Sequence, residues 1–314
     1  MTPRTRAGLV KIRPVRPGSR VAIVAPASGV AAADLEAAAA ELKRVGLDAI
    51  WDERIFERSR FTAGPARVRA LALMAAFDRE DVDAVIAARG GYGSVEVLPL
   101  LAVDRIRQRR TAFVGYSDVT SIHSVLNTRT SLVSVHGAMV ERRLAAGPSA
   151  YDPASFMASL SAEPLGIVSP ETLEVLQPGE AAGPIVGGTL TQILASFETP
   201  FAFAPPDGHV LLVDEVGERP YRLHRMLVQM RFSGRLAKAA AIVFGQLPAC
   251  DEPGGAVTAK DAIRDALDGF RGPVLFGFPT GHSTTPLVSL PLGVHVRVQA
   301  GVSPALVFEE AGAA

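Results

Sequence analysis

Short apolar runs alternate with amphipathic stretches along the first half of the chain. That is the pattern of strands buried on both faces with helices packed over them. Residues 21–25 read Val-Ala-Ile-Val-Ala and stop at Pro26, which predicts a first strand. Residues 31–45 follow as an Ala-rich helix, with Gly46 placed to end it. A second helix is expected over 65–79, where Val68, Leu71, Leu73, Met74 and Phe77 fall on or near one face. Residues 84–88 make the next strand and run straight into Arg89-Gly90-Gly91-Tyr92-Gly93. A helix over 95–107 is expected despite Pro99, then a strand over 111–116 and a helix over 119–127. A strand over 132–135 and a helix over 151–160 complete this half.

Between about residues 163 and 183 the character changes to turn formers and acids, including Ser169-Pro170-Glu171 and Gln177-Pro178-Gly179-Glu180. The expected organisation is therefore an N-terminal domain over 1–165, a linker over 166–183 and a C-terminal domain over 184–314. In the C-terminal part a Gly-rich turn is expected at Gly187-Gly188 and a helix over 190–196. Strands are expected over 209–213, 240–244, 274–276 and 294–298, with helices over 222–231 and 257–268. The fold class is α/β: a mostly parallel N-terminal sheet flanked by helices, plus a second, smaller C-terminal α/β domain.

Composition narrows the function. With 48% hydrophobic and 20% charged residues, the 314-residue chain buries a sizeable core and is not disordered. A net charge of +0 argues against a nucleic-acid partner. The basic residues Arg4, Arg6, Lys11, Arg13, Arg16 and Arg20 precede the first apolar run, the order found in a secretory leader. That run is only five residues long, shorter than the roughly 7–15 a signal peptide needs. No uncharged apolar stretch approaches the roughly 18 residues of a membrane span, so no membrane partner is expected. The single Cys250 excludes an intrachain disulfide and a Cys-rich zinc site, and it allows a cytoplasmic address. No phosphate-binding Walker loop and no His-Glu-x-x-His or Cys-x-x-Cys spacing is present, so neither a metal nor a cofactor is expected.

In α/β sheets ligands collect beyond the carboxyl ends of strands, so the strand-to-helix turns are where chemistry belongs. Arg89–Gly93 reads equally as a structural turn or as a loop whose amides approach a ligand. Gly115-Tyr116-Ser117-Asp118 sits where a strand meets a helix, the setting of a nucleophile elbow, although Val119 replaces the second glycine of G-x-S-x-G. Taken alone, a Ser117 or Asp118 before a helix reads first as an ordinary helix cap. Among the six histidines, His282 lies in the loop Gly277-Phe278-Pro279-Thr280-Gly281-His282-Ser283 and suits a general base. His136 is a candidate for the site wall, whereas His123, His209, His224 and His295 read as surface or satisfied core residues. The orienting acid is Asp214 or Glu215 at a strand end, and the pleat sends only one of them to the site. Cys250 has no basic neighbour in sequence and reads as inert.

The ordered run of motifs resembles the serine peptidase family of L,D-carboxypeptidases, which also includes the microcin C immunity hydrolases. The matching stretches are VAIVAPAS at 21–28, Arg89–Gly93, FVGYSDVT at 113–120, residues 135–137 and PIVGGTLTQIL at 184–194. They continue with LLVDEVGERPYRLHRML at 211–227, residues 241–246 and GFPTGHSTTPLVSLPLG at 277–293. The resemblance implies a Ser-His-Glu triad whose serine falls on Ser117 and whose histidine falls on His282. The family's Leu-Glu-Asp places Asp214 at the acid, one methylene shorter, so the histidine loop must approach more closely; Glu215 is the alternative acid. Thr189 stands where the family commonly has Asn. The implied oxyanion hole is the amides of Asp118 and Gly91. The implied reaction is release of the terminal D-alanine from a murein tetrapeptide, with a small muropeptide as partner and a homodimer as the assembly. The alternatives are an immunity hydrolase cleaving aminoacyl or peptidyl nucleotides, and a degenerate ligand-binding homologue.

Overall fold

The structure, a computed structural model, describes residues 9–314; Arg4 and Arg6 of the basic stretch lie outside the described residues. The first sheet is built from β1 (Arg20–Val24), β2 (Asp48–Ile50), β3 (Ala84–Ala87), β4 (Ala112–Gly115) and β5 (Ser134–His136). These five pair in parallel in the order 2-1-3-4-5. The connecting helices are α1 (Ala32–Arg44), α2 (Ala66–Asp78), α3 (Ser94–Val97), α4 (Val103–Arg109), α5 (Thr120–Arg129) and α6 (Pro153–Leu160). β3 and β4 are buried at every position, as continuous apolar strands between two helical layers must be. The strand order reverses between β1 and β3, so the crevice for a ligand opens where the loops after those strands diverge.

The helix expected over 95–107 is two helices. Pro99 lacks the N–H that an uninterrupted helix needs, and a 3₁₀ turn at Leu98–Leu100 separates α3 from α4. Residues 166–183 are not a bare linker: β6 (Gly166–Val168), β7 (Glu174–Gln177) and the start of β8 (Gly179–Thr189) lie there. Gly187 and Gly188 belong to β8 rather than to a turn. A Cβ on Gly187 would strike the Leu212 carbonyl, and one on Gly188 would strike Thr120 of α5. Glycine here serves close approach of backbones.

The second sheet continues with α7 (Leu190–Ala195), β9 (His209–Asp214), α8 (Pro220–Phe232), β10 (Ala239–Gly245), α9 (Ala259–Ala266) and β11 (Val274–Phe278). β8, β9, β10 and β11 pair in parallel at its centre. After β12 (Leu290–Leu292), β13 (His295–Ala300) pairs antiparallel with β8 and β14 (Ala305–Phe308) antiparallel with β13, extending one edge with β6 outermost. β7 closes the other edge against β11, so this sheet has eight strands and is the wider of the two. Pleat alternation divides its core: Val210, Leu212, Ala241 and Val243 pack with the first sheet's cluster, whereas Leu211, Val213, Ile242 and Phe244 pack with α7, α8 and α9. The C-terminal half also reaches back. β12 pairs antiparallel with β5 and becomes an edge of the first sheet, while Ala313 bridges Ile12. Among the described residues, no helix is long and apolar enough to cross a membrane.

Candidate active site

The chain leaves β4 through Tyr116 in an extended conformation and turns sharply at Ser117, whose φ of 66° lies in the left-handed region. A residue with a Cβ held there costs about 1–2 kcal/mol, so the surroundings must impose it. Two glycines make the room. A Cβ on Gly115 would stand 2.6 Å from Val119 Cγ2, and one on Gly90 would stand 2.7 Å from Ser117 Cβ and 2.8 Å from its Oγ. Val119 thus fills the space that Gly115 leaves, and the elbow forms without a second glycine. A 3₁₀ turn at Ser117–Val119 then leads into α5, and neither is capped by a side chain. The capping role open to Ser117 is not the one it takes. The Asp118 side chain reaches elsewhere, accepting from the Ser94 amide at 2.8 Å and from Gln192 Nε2 at 3.1 Å.

Ser117 Oγ lies 3.1 Å from His282 Nε2, and His282 Nδ1 lies 2.7 Å from Asp214 Oδ2. A carboxylate only accepts, so Nδ1 carries the proton and Nε2 is left to accept from the serine hydroxyl. The His282 backbone amide donates to the other oxygen, Asp214 Oδ1, at 3.1 Å. Asp214 is fully buried at the end of β9, and Thr189 Oγ1 reaches its Oδ2 at 3.5 Å. The loop comes this close because position 281 has no side chain. Gly281 has a φ of 58°, and a Cβ there would run into the Asp214 carboxylate. Glu215 points the other way, as the pleat requires. Its carboxylate accepts from the Thr191 amide (2.9 Å), Thr191 Oγ1 (2.7 Å) and the Val216 amide (3.1 Å), tying β9 to the first turn of α7.

The electrostatics follow from burial and pairing. Burial opposes a charge on His282, but the adjacent Asp214 carboxylate outweighs it and holds the imidazole above its ordinary value. Glu215 is raised by burial against the hydrogen bonds it accepts. His123 and His136 are both fully buried. Burial pushes His123 down to about 3 and His136 down to about 4. His123 spans Ser134 Oγ (2.7 Å) and the Gly115 carbonyl (2.9 Å), a satisfied core residue beneath the elbow. His136 contacts Thr280 Oγ1 at 3.1 Å and lies against Tyr116, so it backs the site wall. His209 is buried and bonds the Pro206 carbonyl, while His224 and His295 lie on α8 and β13. Cys250 is buried, with its thiol pushed up to about 12, and takes no part.

The loop after β3 forms a further wall. The Ser28 amide donates to the Gly90 carbonyl at 3.1 Å, and Ser28 Oγ accepts from the Tyr92 amide at 3.1 Å. The Gly91 amide has no hydrogen-bond partner among the described residues. The Asp118 amide belongs to the first turn after the elbow, where N–H groups have no intrahelical acceptor. It lies 3.2 Å from where a Cβ on Gly90 would stand.

Arg143 gave no signal in the sequence, where Glu141-Arg142-Arg143 looks like a solvated charge run. It is buried, and its Nη2 donates to the carbonyls of Gly281 and Ser283 at 2.8 Å each, while Nη1 donates to the Ala150 carbonyl at 2.9 Å. A guanidinium from the first half of the chain thus grips both residues flanking His282. Among the described residues no group of three or more His, Cys, Asp or Glu side chains is placed to hold a metal ion.

Residues 21–137 match the family model of the LD-carboxypeptidase N-terminal domain, and residues 182–298 match that of its C-terminal domain. A putative carboxypeptidase of Streptomyces coelicolor is 34% identical over 302 residues, covering 92% of this chain and 94% of that protein. The crystal structure of a muramoyltetrapeptide carboxypeptidase from Oxalobacter formigenes is 27% identical and superposes with a TM-score of 0.81, covering 93% of this chain and all of that one. A structure of MccF in complex with glutamyl sulfamoyl guanosine shares the fold at 18% identity, with a TM-score of 0.87 over 96% of this chain and 99% of that one.

Proposed function

The chain belongs to the LD-carboxypeptidase family, and on that premise we propose that it is a serine hydrolase releasing the terminal D-alanine from murein tetrapeptides in cytoplasmic peptidoglycan recycling. Ser117 is the nucleophile, His282 the general base and Asp214 the acid that orients it. The observation that carries this reading is the unbroken chain from buried Asp214 through His282 to a serine held on a strained elbow.

In the reaction, His282 Nε2 takes the Ser117 proton as Oγ attacks the carbonyl before the terminal D-alanine. The Gly91 and Asp118 amides donate to the oxyanion as it forms. Asp214 stabilises the imidazolium and keeps Nδ1 as the donor, so Nε2 carries the proton that the departing amine needs. Water, deprotonated by His282, then hydrolyses the Ser117 ester and restores the enzyme. Glu215 stays outside this sequence, because its acceptor capacity is taken up by Thr191 and Val216.

Incubation with a muropeptide tetrapeptide, followed by mass analysis, tests the assignment. The expected product is the tripeptide plus one D-alanine. A tetrapeptide recovered intact by protein whose Ser117 reacts with a fluorophosphonate would move the substrate elsewhere, with hydrolysis of an aminoacyl nucleotide as the next reaction to assay.

A further inference from the structure

A carboxypeptidase must recognise a free carboxylate, and the triad supplies no cation for it. Ordinary bond lengths bound where that cation must be. The terminal carboxylate carbon lies within about 4 Å of the scissile carbonyl carbon. That carbon itself sits about 3–3.5 Å from the attacking oxygen in a productive complex. The carboxylate is therefore within about 7 Å of Ser117 Oγ.

Arg143 and Arg89 both lie on segments that wall the site. Arg143 is buried, with one terminal nitrogen committed to two carbonyls of the histidine loop and the other to the Ala150 carbonyl, so it is a structural clasp. Arg89 is different. It immediately precedes Gly90, where a Cβ would stand 2.7 Å from Ser117 Cβ, and its Nε would lie 3.6 Å from a Cβ placed on Gly91. Its side chain is half-exposed and pairs with Glu141 through Nε at 3.0 Å. Neither Nη1 nor Nη2 makes a hydrogen bond to a described residue. Glu141 is itself fixed, because its amide donates to the Ala88 carbonyl at 3.0 Å, one residue before Arg89. Glu141 thus occupies one edge of the guanidinium and leaves the fork of terminal N–H groups open, which is the geometry that takes a carboxylate in bidentate fashion.

We propose that Arg89, oriented by Glu141, binds the free α-carboxylate of the residue to be released; the inference rests on the hydrolase reading above. It gives the Arg89–Gly93 loop two tasks on one wall, carboxylate capture by its arginine and oxyanion donation by its second glycine. It also accounts for exopeptidase action, since a chain continuing past the scissile bond would carry a neutral peptide group to Arg89.

The test compares a tetrapeptide ending in free D-alanine with the same peptide ending in D-alaninamide, for the wild type, Arg89→Gln and Arg89→Lys. A hydrogen-bonded charge partner of this kind corresponds to roughly a 10- to 100-fold preference for the acid in kcat/KM. That preference should fall to about one in Arg89→Gln and be partly kept in Arg89→Lys, which retains the charge but not the fork. Labelling of Ser117 by an uncharged fluorophosphonate reports that each variant is folded. An acid preference unchanged in Arg89→Gln, with normal labelling, overturns the role of Arg89 and leaves the triad standing. A wild type that is labelled but cleaves neither peptide removes the substrate reading, and the inference with it.

Discussion

Ser117 and His282 come from different halves of the chain and are held by different forces. The serine is placed by backbone: a left-handed residue between a buried strand and a helix, with Gly115 and Gly90 clearing space on both sides. The histidine is placed by side chains: Asp214 takes its Nδ1 and its amide, and Arg143 takes the carbonyls of its two neighbours. Strain supported by a packed core survives loss of any one contact, whereas a loop held by a few hydrogen bonds depends on each of them. The histidine half of the site should therefore respond to single substitutions in geometry, and the serine half only in chemistry.

The largest separation is expected between two adjacent residues. Asp214→Asn removes the charge and replaces one of the two accepting oxygens with an NH2 donor, so the imidazole tautomer is no longer fixed and turnover should fall on the order of 10⁴-fold. Glu215→Gln keeps an amide carbonyl for Thr191 and should cost within about tenfold, with its effect read mainly as a lowered melting temperature. A crippled Glu215→Gln beside a healthy Asp214→Asn would reverse the roles of the two. Gly281→Ala ranks next. Its Cβ cannot coexist with the Asp214 carboxylate, so the loop must retreat, and a displacement of about 1 Å costs on the order of 10²-fold. A wild-type rate for that variant would show that the loop is not held as tightly as its hydrogen bonds imply.

The smallest effects are those of pH, and their signs oppose each other. In the proposed mechanism His282 must be neutral to accept the serine proton, and Asp214 holds it above the ordinary histidine value. The acidic limb of kcat/KM should therefore have its midpoint above about 6.5, and in Asp214→Asn the midpoint should move down. The stability that this pair contributes is present below about pH 6.5 and is lost as pH rises through the folded value. His123 and His136 act in the other direction. Both are depressed by burial, so their contribution is present above about 6.5 and is lost as pH falls toward 4 and then 3. Melting temperature should accordingly decline on acidification from near-neutral pH, and a plateau down to pH 4 would contradict their buried neutral state.

What the sequence revealed divides along the same line. The elbow was legible because a strand, a sharp turn and a helix are consecutive, and the pleat alone required Asp214 and Glu215 to diverge. Which of the two faces the histidine came from the family resemblance, and the close loop approach that a shorter acid demands is met by Gly281. Arg143 and the Gly187-Gly188 approach were illegible, since both depend on which distant segments meet. The strands within 166–183 were obscured by Pro, Gly and acidic residues, for they lie at sheet edges or pair along one side, where such residues are tolerated.

Everything in the proposed reaction depends on Ser117 attacking with His282 as its base. The most direct test treats the wild type, Ser117→Ala and His282→Ala with a fluorophosphonate and follows covalent adduct and D-alanine release in the same samples. The expected outcome is one adduct on Ser117 in the wild type, none in Ser117→Ala, strongly slowed labelling in His282→Ala, and turnover lost in both variants with the fold intact. Wild-type turnover in Ser117→Ala, or an adduct on another residue that tracks activity, would contradict it.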